Sequence, residues 1–327
     1  SRAEGASLLS KHLDDFRSTF YRQTMFADFE NQTHRLVEQG QPLLPEVLCN
    51  IHRQINADYY GPDFAADKFI SYEWARIPHF YRAFYVYQYA TGISAAIAIA
   101  KRIRTLGAPA IEDYKKFLDA GKTERECVTE AVRLAEAKGF KPFTRGMAVN
   151  PGDKLYRINR GKALMLAVVG TRPLSEGVNI GAAHIDSPRL DLKPNPLYED
   201  GELAYFKTHY YGGIRKYQWV TIPLELHGVV ALKNGQVVRV SIGNGEGDPL
   251  FTIDDLLPHL AADQSKKPLG EAIPAESLNI LVGSRPLRDD EGSDRVKLSV
   301  LELLNRKYGI VEEDFISAEL SDRTSVV

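Results

Sequence analysis

Apolar residues recur at helical spacing over Leu8 to Phe29, Pro45 to Asp58 and Phe84 to Leu106, with few turn clusters and hardly any strict alternation between them. This pattern predicts an all-helical first part. The texture changes near residues 110 to 145. Beyond it, alternating or short apolar runs predict strands at Lys154 to Arg160, Ala163 to Gly170, Val178 to His184, Gln218 to Leu226, Val229 to Lys233 and Val237 to Ile242. Asn234-Gly235 marks a hairpin between the last two, because both residues tolerate positive φ. Helical periodicity returns at Ile253 to Ala262 and Val296 to Lys307. The spacing thus predicts a helical segment, 1–118, followed by a mixed α/β piece with a β-rich insertion, 119–327; the boundary falls in or after Asp113 to Glu124, a charged helical stretch interrupted by Gly121.

Composition narrows the classes. A chain of 327 residues, 44% hydrophobic and 26% charged, can bury more than one core. A net charge of -2 without a dominant basic stripe argues against a nucleic-acid partner. Cys49 and Cys127 are the only cysteines, so neither a disulfide framework nor a cysteine zinc knuckle is expected, and a cytoplasmic setting is. The longest apolar run, Ala90 to Ala100, is too short to span a bilayer and is closed by Lys101-Arg102; it is expected to be a buried helix, with no membrane partner. The start at Ser1 reads as a cut or processed N-terminus.

Two stretches carry candidate chemistry. Ala183-His184-Ile185-Asp186-Ser187-Pro188 follows the apolar run Val178 to Ala183, so a His-x-Asp pair is expected where a buried strand reaches the surface. Zinc uses an imidazole best when its second ring nitrogen is held, and a carboxylate two residues on can accept that hydrogen bond. In Trp74 to Gly92, Tyr81, Tyr85, Tyr87 and Tyr89 lie close to His79. Their hydroxyls and the imidazole could face one cleft and stabilise an oxyanion, or the rings could form core with polar tips at the surface. Other signals are weaker. Gly243 to Gly247 lacks the dinucleotide fingerprint and reads as a turn. His209, Arg215 and Lys216 suit a substrate pocket or, more simply, a lid contact; His227 and His259 carry no motif and read as structural; Asp254 and Asp255 suit a helix start. Neither a Gly-x-Ser-x-Gly elbow nor a Cys and His pair supports a nucleophile.

The aromatic segment, with YRQTMFADFE (Tyr21 to Glu30) and YYGPDF (Tyr59 to Phe64), resembles the C-terminal helical region of the oligoendopeptidase F family of zinc oligopeptidases over about residues 5 to 118. The resemblance implies transition-state assistance by His79 and Tyr85, with Tyr87 and Tyr89 as alternatives; the HExxH helix that binds zinc in that family is not in this sequence. From about residue 112 to 320 the chain resembles the zinc aminopeptidases related to aspartyl aminopeptidase and aminopeptidase I, on YKKFLDAGKTERE (Tyr114 to Glu126), AHIDSPRLDLKPNPLYE (Ala183 to Glu199), THYYGGIRKYQW (Thr208 to Trp219) and EEDFISAEL (Glu312 to Leu320). This implies an incomplete α/β aminopeptidase domain with a β-rich lid, His184 as a ligand to one of two zinc ions, and Asp186 as the carboxylate that orients it. Peptides are the implied substrates, released residue by residue from a free amino terminus, and the lid implies a homo-oligomer. The other zinc ligands of that family follow the lid, whereas this chain continues as SDRTSVV (Ser321 to Val327); the expectation is a chimera of two peptidase pieces, inactive for want of ligands, or an inert assembly surface. Glu112 to Gly121, EDYKKFLDAG, fits the end of one family and the start of the other.

Overall fold

A computed structural model of the chain describes residues 2–62, 67–288 and 292–324, with the side chains of Arg2 and Ala3 left out. Asp63 and Phe64 of the YYGPDF motif, and the final three residues of the tail, lie outside the described residues. The chain divides into two compact units, one comprising the residues to Ile111 together with Pro173–His184, the other Glu112–Arg172 and Ile185–Val327.

The first unit is helical: α1 (Arg2–Phe16), a π-turn (Arg17–Tyr21), α2 (Arg22–Glu38), α3 (Pro45–Tyr60), two 3-10 stretches (Lys68–Arg76 and Pro78–Tyr81), α4 (Tyr87–Leu106) and the start of α5 (Ala108–Ala120). The core of this unit forms where α2 turns Met25, Phe26 and Phe29 inward on a single stripe, against Ile55 of α3, Ile77 and Val86. Pro45, at the first helical position, starts α3 without sacrificing a hydrogen bond. The expected buried helix at Ala90 to Ala100 is a helix but not a buried one, since none of the residues of α4 is buried. Its middle interleaves alanines and isoleucines and its end carries Lys101, Arg102 and Arg104, and the core gathers instead around its first turn.

The second unit continues with α6 (Glu124–Glu136), then β1 (Lys141–Pro142), β2 (Lys154–Asn159) and β3 (Ala163–Val168), which form a three-stranded sheet in that order. A six-stranded sheet follows, from β4 (Arg189–Asp200), β5 (Leu203–Tyr211), β6 (Leu224–Ala231), β7 (Val237–Ile242), β8 (Ile280–Gly283) and β9 (Ala318–Thr324), with α7 (Leu269–Ala272) and α8 (Arg295–Tyr308) between strands. Its order is β7-β6-β9-β4-β5-β8, and every neighbouring pair is antiparallel. One face is apolar, with Leu190, Leu224, Leu226, Ile242, Phe206 and Leu320 in the core under Val296, Val300 and Leu304 of α8. In the register Asp322 stands between Leu190 and Leu226 on that face. The next row, Asp191, Ser321 and His227, faces the other way.

Several expected elements differ. Val178 to His184 forms no strand; no ladder partner lies beside it among the described residues, and Val178 and Ile180 are exposed. Ile253 to Ala262 forms no helix: Pro258 cannot donate in mid-helix, Ile253 is drawn into the core, and Leu256, Leu257 and Leu260 remain exposed. The two strands expected from Gln218 and from Val229 are one, β6, which begins after Pro223 and runs through Gly228. At Gly228 the backbone has φ 146°, and a β-carbon would stand 2.0 Å from the carbonyl oxygen of Glu319 on β9. Among the described residues, no helix is long and apolar enough to cross a membrane.

Candidate functional site

In the first unit the predicted aromatic group is real. The loop between the 3-10 turns and α4 stacks His79 on Tyr85 with centroids 5.5 Å apart, and Tyr89, one helical turn on, meets both rings at 6.1 and 5.7 Å. The Tyr89 hydroxyl donates to that of Tyr85 over 3.4 Å, a bond that, ahead of burial, raises the Tyr89 phenol above its ordinary range. Tyr87 and Thr91 point elsewhere, donating to the carbonyl oxygens of Ile180 and Ala182 and so tying the segment before His184 to α4. Tyr81 stands apart, almost wholly exposed.

In the second unit the residues after His184 are held from several sides. Asp186 accepts a 2.6 Å hydrogen bond from the Tyr211 hydroxyl at the end of β5. That bond and the carboxylate charge push the Tyr211 phenol upward. The guanidinium of Arg189 lies over the Tyr211 ring, 4.1 Å from its centre, and pairs with Asp191 at 2.6 Å and with Glu124 of α6 at 2.5 Å. Ser321 donates to the same oxygen of Asp191 at 2.6 Å. Arg323 of β9 donates to the Ser187 hydroxyl at 2.8 Å and to the Ser187 and Pro188 carbonyl oxygens at 3.3 and 3.0 Å. A polar cavity of about 250 Å³ opens beside this network, lined among others by Glu124, Arg189, Asp191, Ser321, Lys162 and Glu319.

His227 was read from sequence as structural, without chemistry. It is 1% exposed, with Nδ1 2.9 Å from Glu126 and Nε2 2.9 Å from Glu225. Burial opposes a charge on this ring, but the hydrogen bonds and charges of Glu126 and then Glu225 outweigh it and raise the imidazole. The signal was present in the sequence: in Leu224-Glu225-Leu226-His227 a strand period places the carboxylate and the imidazole on one face. The weaker candidates are ordinary contacts, His209 stacking on Tyr210 and Arg215 donating to Tyr217.

The family model of the aminopeptidase I zinc metalloproteases (M18) matches residues 117–324. The chain belongs to the M18 family. Peptidase family M3 matches residues 1–147, so the two matches overlap across α6, and the chain joins regions similar to two peptidase families. The probable M18 family aminopeptidase 1 of Clostridium acetobutylicum is 51% identical over 211 residues, covering 63% of this chain and 45% of that protein. The crystal structure of the M18 aminopeptidase from Thermotoga maritima superposes with a TM-score of 0.61 at 43% identity, over 69% of this chain and 48% of that one. The oligopeptidase PepF of Bacillus subtilis is 48% identical over 117 residues, covering 36% of this chain and 18% of that protein. The chain thus spans about half the length of the curated M18 relatives it matches.

The M18 description implies zinc. Among the described residues, no three His, Cys, Asp or Glu side chains group so as to hold a metal ion.

Proposed function

We propose that the M18 region of this chain belongs to a zinc aminopeptidase that releases residues from the free amino terminus of peptides. In this reading His184 is the zinc ligand that the region supplies and Asp186 is the carboxylate that fixes its tautomer. The observation that carries it is the anchoring of the motif, with Tyr211 on the Asp186 carboxylate and Arg323 on the two residues that follow. A hydrogen-bonded, oriented carboxylate is what a metal-binding imidazole needs behind it, whereas a solvated surface loop would leave it unheld. The same reading makes the chain alone a weak zinc binder without turnover, since one imidazole does not replace three or more protein donors. The two cysteines, neither in a disulfide framework, support a cytoplasmic setting, and the β-rich lid supports a homo-oligomeric contact.

A second reading, endopeptidase chemistry in the M3 region, is favoured by the stack of His79 on Tyr85, which presents an imidazole and a hydroxyl side by side. Parallel assays on an aminoacyl substrate with a free amino group and on an end-blocked peptide separate the readings. The expected result is no turnover of either by the chain alone. Cleavage of the blocked peptide would move the chemistry to the helical unit. Turnover of the free-amino substrate would keep the aminopeptidase reading and overturn the inactivity.

A further inference from the structure

The first turn of helix α6 meets the polar face of the six-stranded sheet through the ionic contacts of Glu124, Arg125 and Glu126. Glu126 does two jobs. One carboxylate oxygen closes the N-terminal capping box, accepting from the Thr123 amide at 2.8 Å and its hydroxyl at 2.9 Å; the other meets His227 Nδ1. Across the ring, Nε2 meets Glu225. A neutral imidazole carries a single N–H, so it would turn a bare lone pair toward one of the two carboxylates. With both nitrogens at 2.9 Å from carboxylate oxygens, a proton is needed in each contact, and the doubly protonated ring between two carboxylates supplies both.

Most of the remaining groups around the ring are engaged elsewhere. From α6, Glu124 binds Arg189 of β4, and Arg125 binds Glu319 of β9 at 3.0 Å. On β4, Asp191 is held by Arg189 and Ser321. Arg323 of β9 stands across from Glu225 in the register but gives its hydrogen bonds to Ser187 and Pro188. Ser241 and, further along, exposed Arg239 follow on β7, and Cys127 of α6 donates to the Gly121 carbonyl oxygen. None of these groups offers His227 a substitute proton or a replacement for Glu126.

We infer that His227 is a protonated latch fastening the first turn of α6 to the sheet, and that loss of its proton frees this turn together with Glu124, the α6 anchor of Arg189. The direction in pH follows from the environment. The folded ring holds its proton more tightly than the ring of an unfolded chain, near pH 6.5. The latch therefore contributes fully below that value, and its contribution is lost as pH rises through the raised folded value. The latch does not depend on the aminopeptidase reading; only its bearing on Asp186, through Arg189 and Tyr211, rests on that reading.

The test is made on the whole chain, without substrate or metal. Imidazole nitrogen resonances are followed by NMR from about pH 5 to about pH 10, alongside amide exchange of the first turns of α6 corrected for the rate of the unfolded chain. The expected result is a His227 ring protonated on both nitrogens at neutral pH. Its alkaline titration coincides with exposure of α6 by roughly tenfold for each pH unit separating folded from unfolded ring. Glu126→Gln, which keeps the cap, shifts both midpoints to lower pH together. A ring neutral at pH 7 overturns the inference, and so does exchange of α6 that ignores the titration of the ring. His227→Gln gives an independent check: α6 exchanges fast at every pH, and a surviving alkaline step in that variant also overturns it.

Discussion

Replacing Asp322 by valine is expected to stabilise the second unit. Asp322 is 0% exposed and sits in register between Leu190 and Leu226, and neither of its carboxylate oxygens has a hydrogen-bond partner. A polar group left buried and unsatisfied costs about 1–3 kcal/mol, and an ionised one costs more. Burial first, and the neighbouring Asp191 second, push this carboxyl well above the usual range, so the fold favours its neutral form. Valine removes that cost and suits a strand, but its extra bulk in a packed core gives back about 1 kcal/mol or more. The net expectation is a gain of about 2 kcal/mol near neutral pH. Because the folded pKa is raised, the penalty of Asp322 is smallest below the unfolded value of about 3.9. It grows as pH rises from there toward the folded value and is level beyond it. The gain from Asp322→Val must therefore be larger at neutral pH than in mild acid. Urea denaturation at the two pH values, read by amide exchange in β6 and β9, measures both quantities. A loss of stability, or an equal gain at both pH values, would refute the reasoning.

Three further outcomes are expected. Asp186→Asn should bring the Tyr211 phenol back toward its ordinary range, seen by ultraviolet titration against Tyr211→Phe; an unmoved phenol would show that the 2.6 Å bond does not persist in solution. Gly228→Ala should cost several kcal/mol, on the order of the largest single-site effects, because its β-carbon meets the Glu319 carbonyl oxygen at 2.0 Å; a wild-type melting temperature would contradict the close approach of β6 and β9. Strand β3 is the edge of its sheet, uncharged, with Met165, Leu166 and Val168 exposed. Met165→Lys should lower concentration-dependent association in light scattering, and unchanged association would clear this edge of a part in it.

What the sequence disclosed followed the range of the forces involved. Local periodicity found α2, α3, α4 and α8, and the Asn234-Gly235 turn between β6 and β7, because a helix stripe and a tight turn are settled by neighbouring residues. Strands β4 and β5 were missed: Pro194 and Pro196 interrupt the alternation, and a register shift between Leu192 and Leu197 absorbs them. Val178 to His184 reads as a strand by composition, but a strand is made by its neighbours, and apolarity alone did not supply one. The candidate residues divide similarly. His79 with Tyr85, a few positions apart, were legible as a group. Tyr211 on Asp186 and Glu126 on His227 come from β5 and α6, at sequence separations of 25 and 101, which no local pattern can report, whereas Glu225, two residues from His227, was legible in the strand period.

The account rests on His184 as the zinc-binding residue of the M18 region. Calorimetric zinc titration of the chain and of His184→Gln tests this most directly. The predicted result is weak binding by the chain, abolished by His184→Gln. Tight stoichiometric binding that survives His184→Gln would contradict it and place the metal elsewhere in the chain.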